Sequence, residues 1–223
     1  MQILSSAPVK DIKAIIFDID GTLTKALSWV HFTIRIGGSI EENDAAFAAF
    51  KSGQINEDQV KERVLKNWSS NGKIMKESSW NILDEVPIRE DAKETVNYLK
   101  QKGYLVCMIT GSLDGIAQVV GKKLGIEDWY ANTTLYFDEE GKLIDLTTYL
   151  DEKATKTDQL NDYCARKNIL PQQCAVIGDS SNDIGLFEMT GNGIAIASEF
   201  GVKELENYAR RKIRELSELI DIL

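Results

Sequence analysis

Asp18 and Asp20 stand two residues apart where an apolar run gives way to a polar turn, in Ala14-Ile-Ile-Phe-Asp18-Ile-Asp20-Gly-Thr22. An aspartate with an ordinary pKa of about 4 is already ionised at neutral pH and needs no partner base to act as a nucleophile. Its attack on a phosphate is opposed by charge repulsion, which a metal ion and a lysine can neutralise. A spacing of two on extended backbone puts both side chains on one side. Asp20 is therefore suited to protonate a leaving oxygen and later to deprotonate water. Gly21 permits the turn that brings backbone amides, with that of Thr22, toward a phosphate. The blander alternative is a strand whose polar turn caps a helix.

Two further stretches have the same strand-to-turn form: Val106-Cys-Met-Ile-Thr110-Gly-Ser112 and Ala175-Val-Ile-Gly-Asp179-Ser-Ser-Asn182-Asp183. The acidic loop suits magnesium, which prefers hard oxygen ligands and takes one or two carboxylates. Asp179 is expected to bind the metal directly, and Asp183 through water or a hydrogen bond, with Asn182 among the phosphate contacts. Thr110, the Gly111 amide and Ser112 are natural phosphate donors at a helix start. A helix expected to begin near Thr155, with Asp158 completing a capping box, puts Lys156 in its first turn. A cation is unfavourable there, which points to a second role, such as neutralising the phosphate and Asp18. Lys153 is the rival. Ordinary helix capping and a solvated surface lysine are the alternatives for these residues.

The elements that must position these groups alternate between strand and helix, as in an α/β fold with right-handed crossovers. In an open parallel sheet, ligands bind at the carboxyl ends of the strands, so three such ends can converge. A strand ends at Asp18 and the next runs from Tyr104 to Ile109, too far for a simple crossover. The intervening Lys25 to Pro87 reads as a helical insertion. One helix is capped by Asn56 and buries Val60, Val64, Leu65 and Trp68; another covers Asn43 to Lys51. Helices are also expected at Arg89–Lys102, Leu113–Leu124 and about Asn182–Met189, strands at Cys174–Gly178 and Gly193–Ile196, and a hairpin around Gly141. The last twenty residues fit a helix or a short edge strand.

The 223 residues carry 35 acids against 26 bases, a net charge of −9. That argues against nucleic acid or an anionic membrane surface as partner, though not against a small anionic substrate beside a metal. No apolar run is long enough to span a bilayer, and the first residues lack a targeting pattern. Three cysteines without CxxC spacing read as buried thiols in a reducing cytoplasm.

Taken in order, DIDGT, ITGS, a lysine and GDSSND resemble the motifs of the haloacid dehalogenase-like phosphatase superfamily, over Ile12 to Ile196. The Gly53–Arg63 and Leu99–Tyr104 stretches resemble its phosphoserine phosphatase branch. The resemblance implies a Rossmann-like three-layer core, residues 1–24 and 88–223, with a helical cap of residues 25–87. It further implies Asp18 as nucleophile and Asp20 as acid/base, with Thr110 as the phosphate-binding hydroxyl. Asp179 falls on the metal aspartate, the Asp20 carbonyl on a second metal ligand, and Lys156, rather than Lys153, on the lysine. Arg63 falls on the branch's basic cap residue. The branch's glutamate, nine residues after the nucleophile and paired with the substrate amine, falls on Leu27.

The sequence is accordingly read as a Mg²⁺-dependent hydrolase of a small phosphorylated metabolite, acting through a phosphoaspartyl intermediate. Asp18, Asp20, Asp179 and Asp183 serve the metal. Phosphoserine is expected to be a poor substrate, because an unpaired amine in a buried site costs discrimination. Phosphotransfer to another metabolite and a catalytically silent regulatory protein are the alternatives. Trp29 and His31 are expected to pack within the cap near the site's mouth.

Overall fold

Strand β1 (Ala14–Phe17) is buried throughout, and its alternation divides the interior in two. Ile15 and Phe17 enter one apolar cluster; Ala14 and Ile16 enter another on the opposite face, as the period of a strand requires. The computed structural model describes residues 11–223, so the reading of the residues before Asp11 lies outside it. After β1 come helices α1 (Ser28–Arg35), α2 (Ile40–Lys51), α3 (Glu57–Trp68), α4 (Lys76–Asp84) and α5 (Ala92–Gln101). Strand β2 (Leu105–Leu113), helix α6 (Asp114–Leu124) and strands β3 (Asp128–Phe137) and β4 (Leu143–Thr148) follow. The chain continues through α7 (Glu152–Lys167), β5 (Cys174–Gly178), α8 (Ile184–Thr190), β6 (Gly193–Ile196), β7 (Arg211–Ile213) and α9 (Leu219–Ile222).

The seven strands form one sheet in the order β4-β3-β2-β1-β5-β6-β7. All neighbours are parallel except the β3–β4 hairpin. One face packs α5, α6 and α9 through Val96, Leu99, Ile116, Val120 and Leu219. The other packs α7 and α8 through Leu160, Tyr163, Leu186 and Phe187. This is the three-layer α/β arrangement the sequence implied, and Asp18, Thr110 and Asp179 are carried by adjacent strands. Phe17 is level with both Met108 and Ile177, so Asp18, Thr110 and Asp179 follow within one or two residues of the same level.

Several boundaries differ from the sequence reading, each for a local reason. The second strand runs on through Thr110-Gly-Ser to Leu113, with a register shift against β3 between Thr110 and Leu113, so this segment is irregular strand rather than helix start. Helix α7 starts at Glu152 because Asp151 caps it, accepting from the Ala154 amide at 3.0 Å. Thr155 is an interior residue whose hydroxyl donates to the Asp151 carbonyl at 2.8 Å, and Lys156 lies beyond the first turn. The helix dipole therefore does not disfavour a cation at Lys156. Helix α2 begins at Ile40 under a Ser39 cap, so Asn43 lies inside it, buried and bonded to Thr33 and Asn67. The C-terminal segment combines the short strand β7, 3₁₀ turns and α9.

The four helices α1 to α4 leave and rejoin the sheet at one point. Thr24 and Ile88 form a bridge, the Lys25 amide donates to Pro87 O at 2.8 Å, and the Arg89 amide to Leu23 O at 2.9 Å. Within them Asn56 caps α3 in a box with Gln59, and α3 buries Val60, Val64 and Trp68. The Trp68 ring meets Trp29 at 4.9 Å and Phe32 at 5.2 Å. No helix among the described residues is long and apolar enough to cross a membrane.

The buried Arg89 guanidinium fastens the closure. It donates to the carbonyls of Gly21 at 3.0 Å, Ala197 at 2.8 Å and Arg214 at 3.4 Å, holding the Asp20–Gly21 turn against the segment after β6. Arg89→Ala leaves buried carbonyls without a donor and is expected to cost about 3 kcal/mol in urea denaturation. A loss under about 1 kcal/mol contradicts the clamp.

Candidate active site

Past Phe17 the β1 backbone still pairs with the neighbouring strand, the Asp18 amide donating to Ile177 O at 2.9 Å. It then wraps, with the amides of Thr22, Leu23 and Thr24 all directed to Ile19 O at 2.9 to 3.2 Å. Gly21 is required here on two counts. Its φ is +76°, and a Cβ would fall 2.1 Å from Asp179 Oδ2. Glycine thus brings the β1 turn into contact with the β5 aspartate. A cavity of about 830 Å³ opens at this edge of the sheet, and Asp18, Asp20, Thr110, Gly111, Ser112, Asp179 and Asn182 all line it.

Beneath the cavity, Lys156 has no exposed surface. Its ammonium donates to Asp18 Oδ1 at 2.8 Å, Asp183 Oδ1 at 2.7 Å and Asn182 Oδ1 at 2.9 Å. Burial alone would lower the Lys156 pKa, but the adjoining charges of Asp18 and Asp183 carry it above the ordinary value. It is held as a cation. Lys153 is half exposed and pairs with Glu188 at 3.0 Å, so the structure gives the buried position to Lys156.

Asp18, Asp179 and Asp183 are buried, and one oxygen of each lies within 4.8 Å of the others. Burial drives the Asp18 pKa well above the ordinary value, Lys156 pulls it down, and the neighbouring carboxylates push it up again. Burial likewise raises Asp179 to about 6 against a hydrogen bond from Ser198. With Asp20, four carboxylates share one ammonium, an excess of negative charge that a hard divalent cation fits. Asp183 already has one oxygen on Lys156 and accepts at the other from the Ser180 amide at 3.3 Å. That leaves Asp18 and Asp179 as the carboxylates free to ligate, consistent with an indirect role for Asp183.

Asp20 is held differently. Its Oδ2 accepts from the Ser28 amide at 2.9 Å and the Ser28 hydroxyl at 2.8 Å, so it caps the first turn of α1. The Ser28 hydroxyl, its one proton committed to the carboxylate, accepts from Ser112 Oγ at 2.8 Å. Asp20 Oδ1 is buried with no partner among the described residues. Burial pushes the Asp20 pKa up to about 6 while the Ser28 bonds hold it down. A carboxyl with one oxygen pinned and the other open suits proton transfer. Thr110 Oγ1 accepts from the Ser112 amide at 3.1 Å, so its own proton stays available to a ligand.

Three of the proposed phosphate contacts do not line the cavity: Gly21, which lies against Asp179, Thr22 and Arg63. Arg63 is exposed on α3 and does not line the cavity; the structure does not bring it to Asp18. Thr22 is fully buried and also away from the lining. Trp29 does line the cavity, while His31 faces Glu85 at 3.8 Å. Four residues with evident roles carried no signal in the motifs: Ser28, Ser198, Arg89 and Glu152. The Glu152 carboxylate accepts from Asn182 Nδ2 at 2.7 Å and lies 2.7 Å from where a Gly111 Cβ would stand.

A model of the haloacid dehalogenase-like hydrolase family matches residues 12–189. The chain belongs to that family. It is 27% identical over 215 residues to the phosphoserine phosphatase of Methanocaldococcus jannaschii, covering 95% of this chain and 97% of that one. It is 25% identical over 216 residues to the phosphoserine phosphatase of Lactococcus lactis subsp. lactis, covering 94% and 95%. Against the phosphoserine phosphatase of Streptomyces coelicolor the match takes in 88% of this chain but only 47% of the relative. Among solved structures, a phosphoaspartyl intermediate analogue of phosphoserine phosphatase superposes with a TM-score of 0.72 at 26% identity, over 95% of this chain and 99% of that one. A substrate-bound phosphoserine phosphatase gives 0.73 at 26%, over 95% and 98%.

Two predictions follow from the buried charges. Lys156→Met strands Asp18 and Asp183 and is expected to cost about 3–5 kcal/mol in the metal-free protein. Lys153→Met, which removes an exposed pair, is expected to cost under about 1 kcal/mol. Equal losses in denaturant titrations contradict the assignment. For pH, the folded Asp20 value of about 6 exceeds the unfolded value of about 4. Its stabilising contribution is full below the unfolded value and is lost as pH rises through the folded one. In chelator, Asp20→Asn should therefore raise Tm relative to wild type at about pH 7.5 and leave it nearly unchanged at about pH 4. An effect of the opposite sign removes the buried, raised Asp20.

Proposed function

We propose that this chain is a magnesium-dependent phosphatase that hydrolyses a small phosphate monoester through a phosphoaspartyl intermediate on Asp18. The observation that carries the reading is the Asp18 carboxylate at the cavity floor, one oxygen held by the buried Lys156 ammonium at 2.8 Å. The family and the phosphoserine phosphatase relatives support a phosphoric monoester hydrolase; the nucleophile, proton carrier and metal ligands are the finer claims.

Asp18 attacks phosphorus with the oxygen that Lys156 does not hold. Lys156 favours the ionised form of Asp18 against burial and the neighbouring carboxylates and balances charge on the entering phosphate. The Thr110 hydroxyl, the Gly111 amide, Ser112 and Asn182 orient the phosphate oxygens. Asp20, protonated at Oδ1, delivers its proton to the leaving alkoxide; the resulting carboxylate then takes a proton from the water that hydrolyses the acyl phosphate. Mg²⁺, held by Asp18, Asp179 and the Asp20 carbonyl with Asp183 as an outer partner, would neutralise charge between nucleophile and phosphate. The division into a core (1–24 and 88–223) and a cap (25–87) belongs to this reading, and the bridge at Thr24 and Ile88 supports it. A cytoplasmic location belongs to it too, supported by three free, buried cysteines.

Asp18→Asn should keep its circular dichroism spectrum and lose at least about a thousandfold in kcat on p-nitrophenyl phosphate with Mg²⁺. Chelation should abolish wild-type turnover, and Mg²⁺ should restore it. A variant retaining a tenth or more of wild-type activity overturns the covalent mechanism.

A further inference from the structure

The cavity that carries Asp18 is walled on its other side by residues of α1 and α2 and the turn before them. Leu27, Trp29, Val30, Phe47 and Phe50 line it from these elements. Trp29 and Phe47 are in ring contact at 5.8 Å, and Trp29 is backed by the buried Trp68 at 4.9 Å. All five lining residues are half-buried, which leaves part of each free to meet a ligand. Apolar and aromatic surface in a cleft, with polar groups gathered at one end, is the usual composition of a site for an apolar ligand body.

The charged groups of the same cavity do not offer a matching place for a zwitterion. Glu152 is engaged by Asn182 and Lys153 by Glu188. Asp44 and Lys51 line the cavity but are exposed to solvent, where water and salt screen them. Arg63 stands outside the lining, and Leu27 presents no charge to an amine. An ammonium and carboxylate carried by a leaving group would meet apolar walls without partners, at a desolvation cost.

We infer that the preferred substrate is a phosphomonoester whose leaving group has an aromatic or extended apolar body, seated against Leu27, Trp29, Phe47 and Phe50. The inference rests on the phosphatase reading above and adds the class of leaving group. Burying one ring against this wall corresponds to a gain of at least about tenfold in kcat/KM over a leaving group that cannot reach it.

The test compares phenethyl phosphate, ethyl phosphate and O-phosphoserine with purified protein and Mg²⁺. All three release alkoxides, so differences in turnover report the cavity rather than the ease of breaking an aryl ester. Phenethyl phosphate is expected to exceed both others by at least about tenfold in kcat/KM. Leu27→Glu is expected to narrow that gap by raising kcat/KM for phosphoserine and lowering it for phenethyl phosphate. Turnover of all three without preference for phenethyl phosphate, or with phosphoserine best, overturns this inference and leaves the phosphatase reading standing. No turnover of these three or of p-nitrophenyl phosphate overturns the phosphatase reading and the inference with it.

Discussion

Four carboxylates share one buried ammonium at the carboxyl edge of this sheet, and the rest of the structure is arranged around that imbalance. A buried lysine with no exposed surface is tolerated only because Asp18, Asp183 and Asn182 take its three protons. Asp18 and Asp179 are tolerated next to each other because Lys156 reduces the local charge and Ser198 donates to Asp179. The residual negative charge is the property a divalent cation would neutralise.

Holding them ready depends on backbone features far apart in the chain. Parallel register brings the ends of β1 and β5 level with each other and with Met108 of β2, and the positive φ of Gly21 lets the first turn touch Asp179. Helix α7, packed on one face of the sheet, delivers Lys156 to these strand ends, and the Asp151 cap sets where that helix begins. Arg89 ties the Gly21 carbonyl to the segment after β6. The run of hydrogen bonds from Ser112 through Ser28 to Asp20 joins β2, α1 and the β1 turn. The helices inserted after β1 are thereby fixed, at the start of α1, to the carboxyl best placed to move a proton.

Much of this was legible in the residue pattern. The apolar runs ending in Asp18 and Asp179 marked strands whose ends must meet, and both strands β5 and β6 fall where the pattern put them. The Asn56 cap and the buried Val60, Val64 and Trp68 face of α3 were equally plain. Other features were hidden because the deciding contact is remote in sequence. Asp151 outcompetes Thr155 as cap, so the start of α7 was misplaced. Thr110-Gly-Ser stays in β2 because β3 pairs with it as far as Leu113. Ser28, Ser198 and Arg89 belong to no local motif; each acts on a partner brought near by the fold. Arg63 matched a family position, yet the placement of α3 leaves it exposed and away from the cavity.

In the proposed reaction Asp18 becomes covalently bonded to phosphorus. Rapid quenching of the enzyme during turnover of p-nitrophenyl phosphate, reduction of any acyl phosphate with borohydride and peptide mass spectrometry test it directly. Homoserine is expected at position 18 in a fraction of the quenched chains, and none without substrate. Homoserine absent from position 18, or present instead at position 20 or 179, would contradict it.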